Sequence, residues 1–294
     1  VRKISKRVKK VPNLPLFSED QNENPGNRCM LDKESVFLPA LIESKSNEQQ
    51  ANLGVLFDVD QSTVSRYLKF AKPTLEEILP TAKKMTGIIK SIKTKKEFEK
   101  LVLKRTLLPD ATEVSRERSQ NKDERKASYS GKKKDFTWTT NIVISLDGLI
   151  LWSGKTFKGA THDLAMLKQN KIDLGRWSKG MFKKDTPDGK RITVLADKGY
   201  IGLEKYYPGI KFVMPKKKPK GRELTTHEKT RNKKISSKRI KVEHAIGVMK
   251  RWKVMKDSYD GTIDDFELDF SICTGHANFK RLWDPNKKQS RIDY

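Results

Sequence analysis

The sequence predicts an α/β domain with a mixed sheet, preceded by a small all-α domain. Apolar residues recur at helical spacing from Lys33 to about Leu79, which indicates helices. After residue 104 the pattern changes to β-branched and aromatic runs that are separated by short helical segments. In order, these segments indicate a strand, a hairpin, a helix, a strand, a short helix, a strand and a long helix. That order is typical of an α/β layer in which the three leading strands are antiparallel.

The charge of the chain narrows the class of partner. Of 294 residues, 63 are Lys or Arg and 37 are Asp or Glu, so the net charge is +26. So large a positive charge favours a polyanionic partner, with nucleic acid the leading candidate and an anionic membrane surface the alternative. No run approaches the roughly 18 apolar residues of a membrane-spanning helix, and no signal-like segment opens the chain. Cys29 and Cys273 form no CxxC pattern, which argues against structural zinc and fits a reducing intracellular compartment.

Composition divides the chain into five segments. Residues 1–30 are a basic arm and a polar linker, which either contact DNA or form a solvated tail. Residues 31–80 form the all-α domain, and residues 81–104 a Lys-rich helical connector. Residues 105–282 form the α/β domain, and residues 283–294 a C-terminal tail.

A helix-turn-helix is predicted within residues 47–71. Ala51, Val55 and Leu56 would form the apolar face of its first helix. The "DVD" sequence would form the turn, and Ser62 would cap the second helix. The alternative is an ordinary helical hairpin with a polar outer face. Polar residues cluster at the amino end of the second helix, which favours insertion of that helix into the major groove of DNA. The candidates for base or phosphate contacts are Gln61, Ser62, Thr63, Ser65, Arg66 and Lys69.

The α/β elements follow one another after residue 104. "KRTLLPDATEV" is the first strand and carries Asp110. "FTWTTNIVISLDGLILWSGKTF" is a hairpin that turns at Asp147-Gly148, a dipeptide favoured in tight turns. "THDLAMLKQ" is a short helix capped by Thr161, and "RITVLAD" and "IKFVMPKK" are further strands. The stretch "TTHEKTRNKKISSKRIKVEHAIGVMKRWKVM" is mainly helical.

Three acids fall on separate elements of this predicted domain. Asp110 lies on the first strand, Asp197 at the end of the fourth, and Glu243 on the long helix. Each acid alone would be read as a surface or capping residue. Together they can converge on metal ions, since Mg²⁺ prefers oxygen ligands from several carboxylates. The sequence therefore predicts a metal site at the carboxyl ends of the strands.

Five motifs carry a resemblance to a known family. They are "PDATE" (109–113), "YSGKKK" (129–134), "THD" (161–163), "ADKGY" (196–200) and "RIKVEHAIGVMK" (239–250). In this order the set resembles the insertion-sequence transposases of the DDE superfamily, which are related to the Harbinger-type transposases, and the resemblance covers roughly residues 35–280. It implies an RNase H-like catalytic core in which Asp110, Asp197 and Glu243 are the catalytic acids and bind Mg²⁺ or Mn²⁺, as two ions.

The same resemblance implies partners and a reaction. The partners are double-stranded DNA, as transposon ends and as target, and a second copy of the chain in a homodimer that pairs two ends. The reaction is cleavage of a phosphodiester at the transposon end, after which the freed 3′-hydroxyl attacks target DNA. The expected location is the cytoplasm, at the nucleoid, in a prokaryote and the nucleus in a eukaryote. The alternatives are a domesticated DNA-binding protein without catalysis and a stand-alone nuclease.

Basic residues flank the predicted acids. Arg239, Glu243 and Lys250 lie on one face of the long helix, where cations would bind DNA phosphates or form a surface ladder of salt bridges. Lys132 and Lys133 belong to a basic loop, and "MPKKKPKG" (214–221) is another; both bind phosphate or are solvated charge runs. His162 and Asp163 either support the acids or begin a helix, where Asp163 suits the dipole.

Overall fold

The structure is a computed structural model. It describes residues 31, 35–170, 191–207 and 210–283. The predicted basic arm and linker, and the tail beyond residue 283, lie outside the described residues.

A mixed sheet forms the centre of the α/β region. Its strands are β1 (Thr106–Ser115), β2 (Tyr129–Ser130), β3 (Asp135–Ser145), β4 (Ile150–Lys158), β5 (Thr193–Leu195) and β6 (Lys211–Val213). The main order is β4-β3-β1-β5-β6, and the short β2 pairs with the start of β3. Strands β1, β3 and β4 are antiparallel neighbours, whereas β5 runs parallel to β1 and β6 runs parallel to β5. The predicted mixed sheet, with three antiparallel leading strands, is confirmed.

The helices lie before, between and after the strands. They are α1 (Leu38–Ser46), α2 (Gln50–Phe57), α3 (Gln61–Ile78), α4 (Ala82–Ser91), α5 (Lys95–Leu101), α6 (Lys122–Ser128), α7 (Asp163–Gln169), α8 (Thr226–Met249) and α9 (Ile263–Leu282). In the described part of the chain, no helix is long and apolar enough to cross a membrane.

The predicted hairpin turn between β3 and β4 is confirmed. Gly148 has a φ of 91°, and its N–H donates to the carbonyl of Ser145 at 2.9 Å. A left-handed conformation at this position is open to glycine at little steric cost, which is why the Asp-Gly dipeptide marked the turn.

Each face of the sheet is covered by different helices. Met85 and Ile89 of α4 and Phe98 of α5 pack with Leu107 of β1 on one face. The segment predicted as a connector therefore supplies part of the core. On the other face, α8 and α9 pack against Leu108 and the alternating residues of β1.

The all-α region contains the predicted pair of helices, with a different packing. Leu53 and Gly54 are buried, whereas Val55 is 86% exposed and Leu56 62% exposed. The predicted apolar face of Ala51, Val55 and Leu56 is therefore wrong. Gly54 is the reason, because an added Cβ would lie 2.7 Å from the carbonyl oxygen of Val59, so only glycine lets α2 press its Leu53–Gly54 side against the turn.

Two predicted helix caps are also wrong. Helix α3 begins at Gln61 with Asp60 at the N-cap, so Ser62 is already inside the helix. Helix α7 begins at Asp163 with His162 at the N-cap, so Thr161 does not cap it. Neither observed N-cap residue makes a side-chain capping bond, which explains why the preference for Ser and Thr misplaced both starts.

Candidate active site

Strand register places the first two acids side by side. In the parallel pair of β1 and β5, Thr106 is level with Thr193 and Leu107 with Val194. Continued by three residues, this register brings Asp110 level with Asp197. Asp197 follows β5 closely and begins the 3₁₀ turn Lys198–Tyr200. The two carboxylates are thus neighbours, one on β1 and the other just beyond the carboxyl end of β5.

Arg239 of α8 joins these two carboxylates. One guanidinium nitrogen lies 3.6 Å from Oδ2 of Asp110, and another lies 3.4 Å from Oδ1 of Asp197. The side chain of Arg239 is 14% exposed, that of Asp110 24% and that of Asp197 53%. The distances exceed those of a good hydrogen bond, so the contacts are mainly between charges. The Nε atom of Arg239 is buried without a hydrogen-bond partner.

Helix α8 runs along β1 and carries the third acid between two cations. Arg239 reaches Asp110, and Nζ of Lys250 donates to the carbonyl of Glu113 at 2.9 Å. At about 100° per residue, Glu243 lies within roughly 40° of Arg239 around the helix, on the face that follows β1. Glu243 is exposed. Among the described residues, no three His, Cys, Asp or Glu side chains are close enough to hold a metal ion.

Burial changes the acid strength of Asp110. It raises the pKa of this carboxyl, and the neighbouring charges of Asp163 and Asp197 raise it further. The N–H of Ala111, which donates to Oδ1 at 2.9 Å, and the charge of Arg239 oppose this shift.

Asp163 is placed beside this pair, as the supporting role predicted for it requires. Its Oδ2 would lie 3.4 Å from a Cβ at Gly199, in the turn that follows Asp197. Burial raises the pKa of Asp163, as do the charges of Glu113 and Asp197. Lys132 and His162 oppose this shift through their charges. His162 itself is exposed.

The first basic loop lies near the carboxyl end of α8. Lys132 and Lys133 are exposed, in the turn between β2 and β3. Burial lowers the pKa of Lys250, and the charges of Lys133 and Lys132 lower it further, against the opposing charge of Glu113. The loop and Lys250 therefore form one positive region next to β1.

The second basic loop lies at the amino end of α8. The backbone N–H of Lys216 donates to Oδ1 of Asn232 at 2.9 Å, and the side chain of Asn232 returns a bond to the carbonyl of Lys216. Lys216 and Arg222 both pair with Glu228 in the first turn of the helix. The two basic loops thus flank the acids from opposite ends of α8.

The candidates for base contacts lie along the amino half of α3. Gln61, Ser62, Arg66 and Lys69 are exposed, while Thr63 and Ser65 are half-buried. The guanidinium of Arg66 donates to Oγ1 of Thr63 at 3.0 Å. The exposed set forms one polar surface, as the helix-turn-helix interpretation requires.

Three residues near the acids were not predicted as site residues from the sequence. Nδ2 of Asn141, which is paired with Ala111 across the sheet, donates to the hydroxyl of Tyr200 at 3.3 Å. Burial raises the pKa of Tyr200 well above its ordinary value, so the phenol is neutral. Glu113 accepts a hydrogen bond from Oγ of Ser130 at 2.7 Å. The signals for Glu113 and Tyr200 were present, since both belong to motifs that also carry an acid, but the role of Asn141 depends on strand register.

Comparison with known proteins places this geometry in a family. Residues 109–276 match the family described as DDE superfamily endonuclease. The chain belongs to this family. It is 27% identical over 264 residues to a protein of Microchaete diplosiphon named as the probable transposase of insertion sequence element IS702, covering 89% of this chain and 86% of that protein. It is 24% identical over 220 residues to a protein of Streptomyces albus G named for the transposase of IS112, covering 72% of this chain and 67% of the other.

Two solved structures of the Mos1 transposase are more distant. The Mos1 mariner paired-end complex with Mn has a TM-score of 0.29 and 13% identity, over 98% of this chain and 88% of that chain. The paired-end complex with the left transposon end has a TM-score of 0.30 and 12% identity, over 95% of this chain and 83% of the other.

Proposed function

We propose that this protein is a DNA transposase that binds the terminal inverted repeats of an insertion sequence and catalyses metal-dependent cleavage and strand transfer. The observation that carries the proposal is the contact of Asp110 and Asp197 with one guanidinium, in a chain of the DDE endonuclease family. The names of the two curated relatives support the same activity.

The donor set fits a divalent cation. Asp110 and Asp197 already share one positive charge, that of Arg239, and carboxylate oxygens are what Mg²⁺ and Mn²⁺ prefer. We assign metal binding to these two residues and to Glu243, for two ions. When bound, the ions supply Lewis-acid activation of the attacking oxygen and charge neutralisation at the leaving oxygen. Glu243 is exposed on the face of α8 that follows β1, so a side-chain rotation is the smallest movement that could bring it to the other acids.

The cations of α8 and of the basic loops hold the substrate. A guanidinium presents planar donors that match a phosphate, so Arg239 can pass from the carboxylates to the DNA backbone once metal neutralises the acids. Lys250, Lys132 and Lys133 extend the positive surface from the acids and orient the scissile strand without reading its sequence. Asp163 and Tyr200 lie beside the paired acids and position them.

Sequence recognition belongs to α3 in this proposal. Its exposed polar surface would enter the major groove of the terminal repeat, and Arg66 is the side chain best suited to a bidentate contact with guanine. Pairing of two transposon ends requires two recognition helices, so the active species would be a homodimer.

A cleavage assay tests the proposal. Supercoiled DNA that carries the inverted repeats is incubated with the full chain and Mg²⁺ or Mn²⁺, with EDTA in a parallel reaction. We expect metal-dependent nicks at the repeat ends, followed by joining of the 3′-ends to a target duplex. Specific binding of the ends without cleavage in either metal would contradict the proposal and favour the domesticated, non-catalytic DNA-binding protein.

A further inference from the structure

The face of α8 that points away from the acids carries a second row of cations. Lys234, Lys238 and Lys241 are spaced by four and three residues, so they lie on one face of the helix, and all three are exposed. Lys241 is two residues beyond Arg239, which places it roughly 200° around the helix. In the described part of the chain, no carboxylate is within ion-pair distance of this row.

The row ends in a small pocket. The cavity has a volume of about 170 Å³ and lies between α8, the β3–β4 turn and the end of α9. Its polar lining consists of Lys241, His244, Lys280, Arg281 and Asp147. The volume is below the roughly 300 Å³ at which pockets for whole small molecules begin, so the pocket suits a single small group.

The lining of the pocket carries more cations than anions. The Nε atom of Arg281 is buried and has no hydrogen-bond partner. Asp147 is the single carboxylate in the lining, and its Oδ1 accepts a hydrogen bond from Oγ of Ser145. Lys241, Lys280 and Arg281 contribute three positive charges against that one negative charge. A phosphate oxygen would supply an acceptor to this cluster, in which neither lysine has an ion-pair partner among the described residues.

We propose that the row of lysines and this pocket form a second binding site for the backbone of duplex DNA. The row from Lys234 to Lys241 is about 10 Å long, which corresponds to about three base-pair steps of ~3.4 Å along the duplex axis. A straight duplex contacts one side of a helix, so DNA bound at the acids and DNA bound at this row are two separate duplexes. The assignment of the second duplex as the target of strand transfer rests on the proposed function.

The number of duplexes bound per chain tests the proposal. Short random duplexes of about one helical turn (~10 bp) are titrated onto the full chain, and the stoichiometry is measured by analytical ultracentrifugation. We expect the triple variant Lys241→Gln, Lys280→Gln, Arg281→Gln to bind one duplex fewer per chain than the wild type, since the acids and α3 are unchanged in it. The log–log salt slope of total binding should fall by about 0.9 for each phosphate that the variant no longer neutralises.

A matched control removes the same charge elsewhere. The variant Lys93→Gln, Lys96→Gln, Lys100→Gln changes exposed lysines at and before α5 and should bind as many duplexes as the wild type. If the pocket variant unfolds, Lys234→Glu with Lys238→Glu tests the same row at exposed positions and should also bind one duplex fewer than the wild type. The wild-type number of duplexes on each of these row and pocket variants, or an equal loss in the control, would overturn the proposal.

The experiment also distinguishes DNA from a membrane surface as the ligand, and failure of this site from failure of the proposed transposase activity. The wild type could bind phosphatidylglycerol vesicles that displace the second duplex, and the pocket variant could fail to bind these vesicles. That pair of results would assign the site to a membrane surface and overturn the DNA assignment. Stoichiometry does not depend on cleavage, so a failure of the proposed transposase activity is read independently in the cleavage assay.

Discussion

Removal of the guanidinium that joins the two acids should destabilise the metal-free protein. The variant Arg239→Met keeps a long apolar stem and deletes the charge, which leaves Asp110 and Asp197 as neighbouring like charges. At 3.6 and 3.4 Å, each contact has a gross Coulomb energy of about 5 kcal/mol at an effective dielectric constant of ~20. Asp197 is 53% exposed, so solvent screening reduces the contribution of its contact with Arg239 to about 1 kcal/mol or less.

The net loss is therefore dominated by Asp110. This carboxylate is 24% exposed, and its desolvation is only partly offset by the Ala111 N–H. We expect a loss of about 2 kcal/mol in the free energy of unfolding, between the values for exposed and buried pairs. Urea unfolding in EDTA, followed by tryptophan fluorescence, measures it. Arg231→Met, an exposed arginine on the same helix, is the control and should change the free energy by less than ~0.5 kcal/mol.

Magnesium should reverse much of this loss. The cation can take the place of the guanidinium between the acids, and a ligand present at about 100 times its Kd stabilises by ~2.7 kcal/mol. In the wild type Arg239 competes for the same carboxylates, so Mg²⁺ should stabilise the variant more than the wild type. Equal unfolding free energies in EDTA, or a difference that Mg²⁺ leaves unchanged, would refute the role of Arg239 as an internal cation.

Three further changes test the recognition helices, the groove and the core. Gly54→Ala puts a Cβ 2.7 Å from the Val59 carbonyl oxygen and should therefore displace α2 from the turn before α3. Binding to the cognate repeat in a mobility-shift assay should fall at least tenfold. Undiminished binding would show that the α2–α3 turn is not needed for DNA recognition. Lys132→Gln with Lys133→Gln should lower the log–log salt slope of duplex binding by up to about two and weaken cognate and random DNA alike; an unchanged slope would show a solvated loop. Burial lowers the pKa of His276 to about 4, so its unfolded form takes up a proton first as pH falls below about 6.5. Stability should therefore drop by about 2 kcal/mol between about pH 7 and about pH 5 from this group alone, and His276→Phe should remove that part in urea titrations at both pH values.

The order of elements was accessible from sequence because each strand and helix carries its own periodicity. Strand β1 with Asp110, the hairpin at Gly148 and the long α8 follow from alternation, a turn dipeptide and helical spacing. The start of α7 and the buried side of α2 did not follow, because the observed caps lack side-chain bonds and Gly54 is buried by close contact with a turn.

The site was accessible only in part. The order of the motifs singled out Asp110 and Asp197. That the two residues lie side by side depends on the parallel register of β1 and β5, which no local sequence pattern encodes. The bridging position of Arg239 required the direction of α8 across the sheet. Helical spacing placed Glu243 on the same face as Arg239, while its exposure depends on packing that periodicity does not resolve.

The most direct test of the central claim is cleavage of a terminal-repeat duplex by variants of the three acids. Asp110→Asn, Asp197→Asn and Glu243→Gln should each lower the rate of strand cleavage in Mg²⁺ or Mn²⁺ by at least about a thousandfold, with repeat binding retained in a mobility-shift assay. Asp123→Asn, an exposed acid on α6, is the matched control and should cleave at the wild-type rate. Abolished cleavage in all three variants, with binding intact, is the result that a three-acid metal site requires. Wild-type cleavage by any one of them would remove that residue from the metal site, and wild-type cleavage by Asp110→Asn and Asp197→Asn together would contradict the site itself.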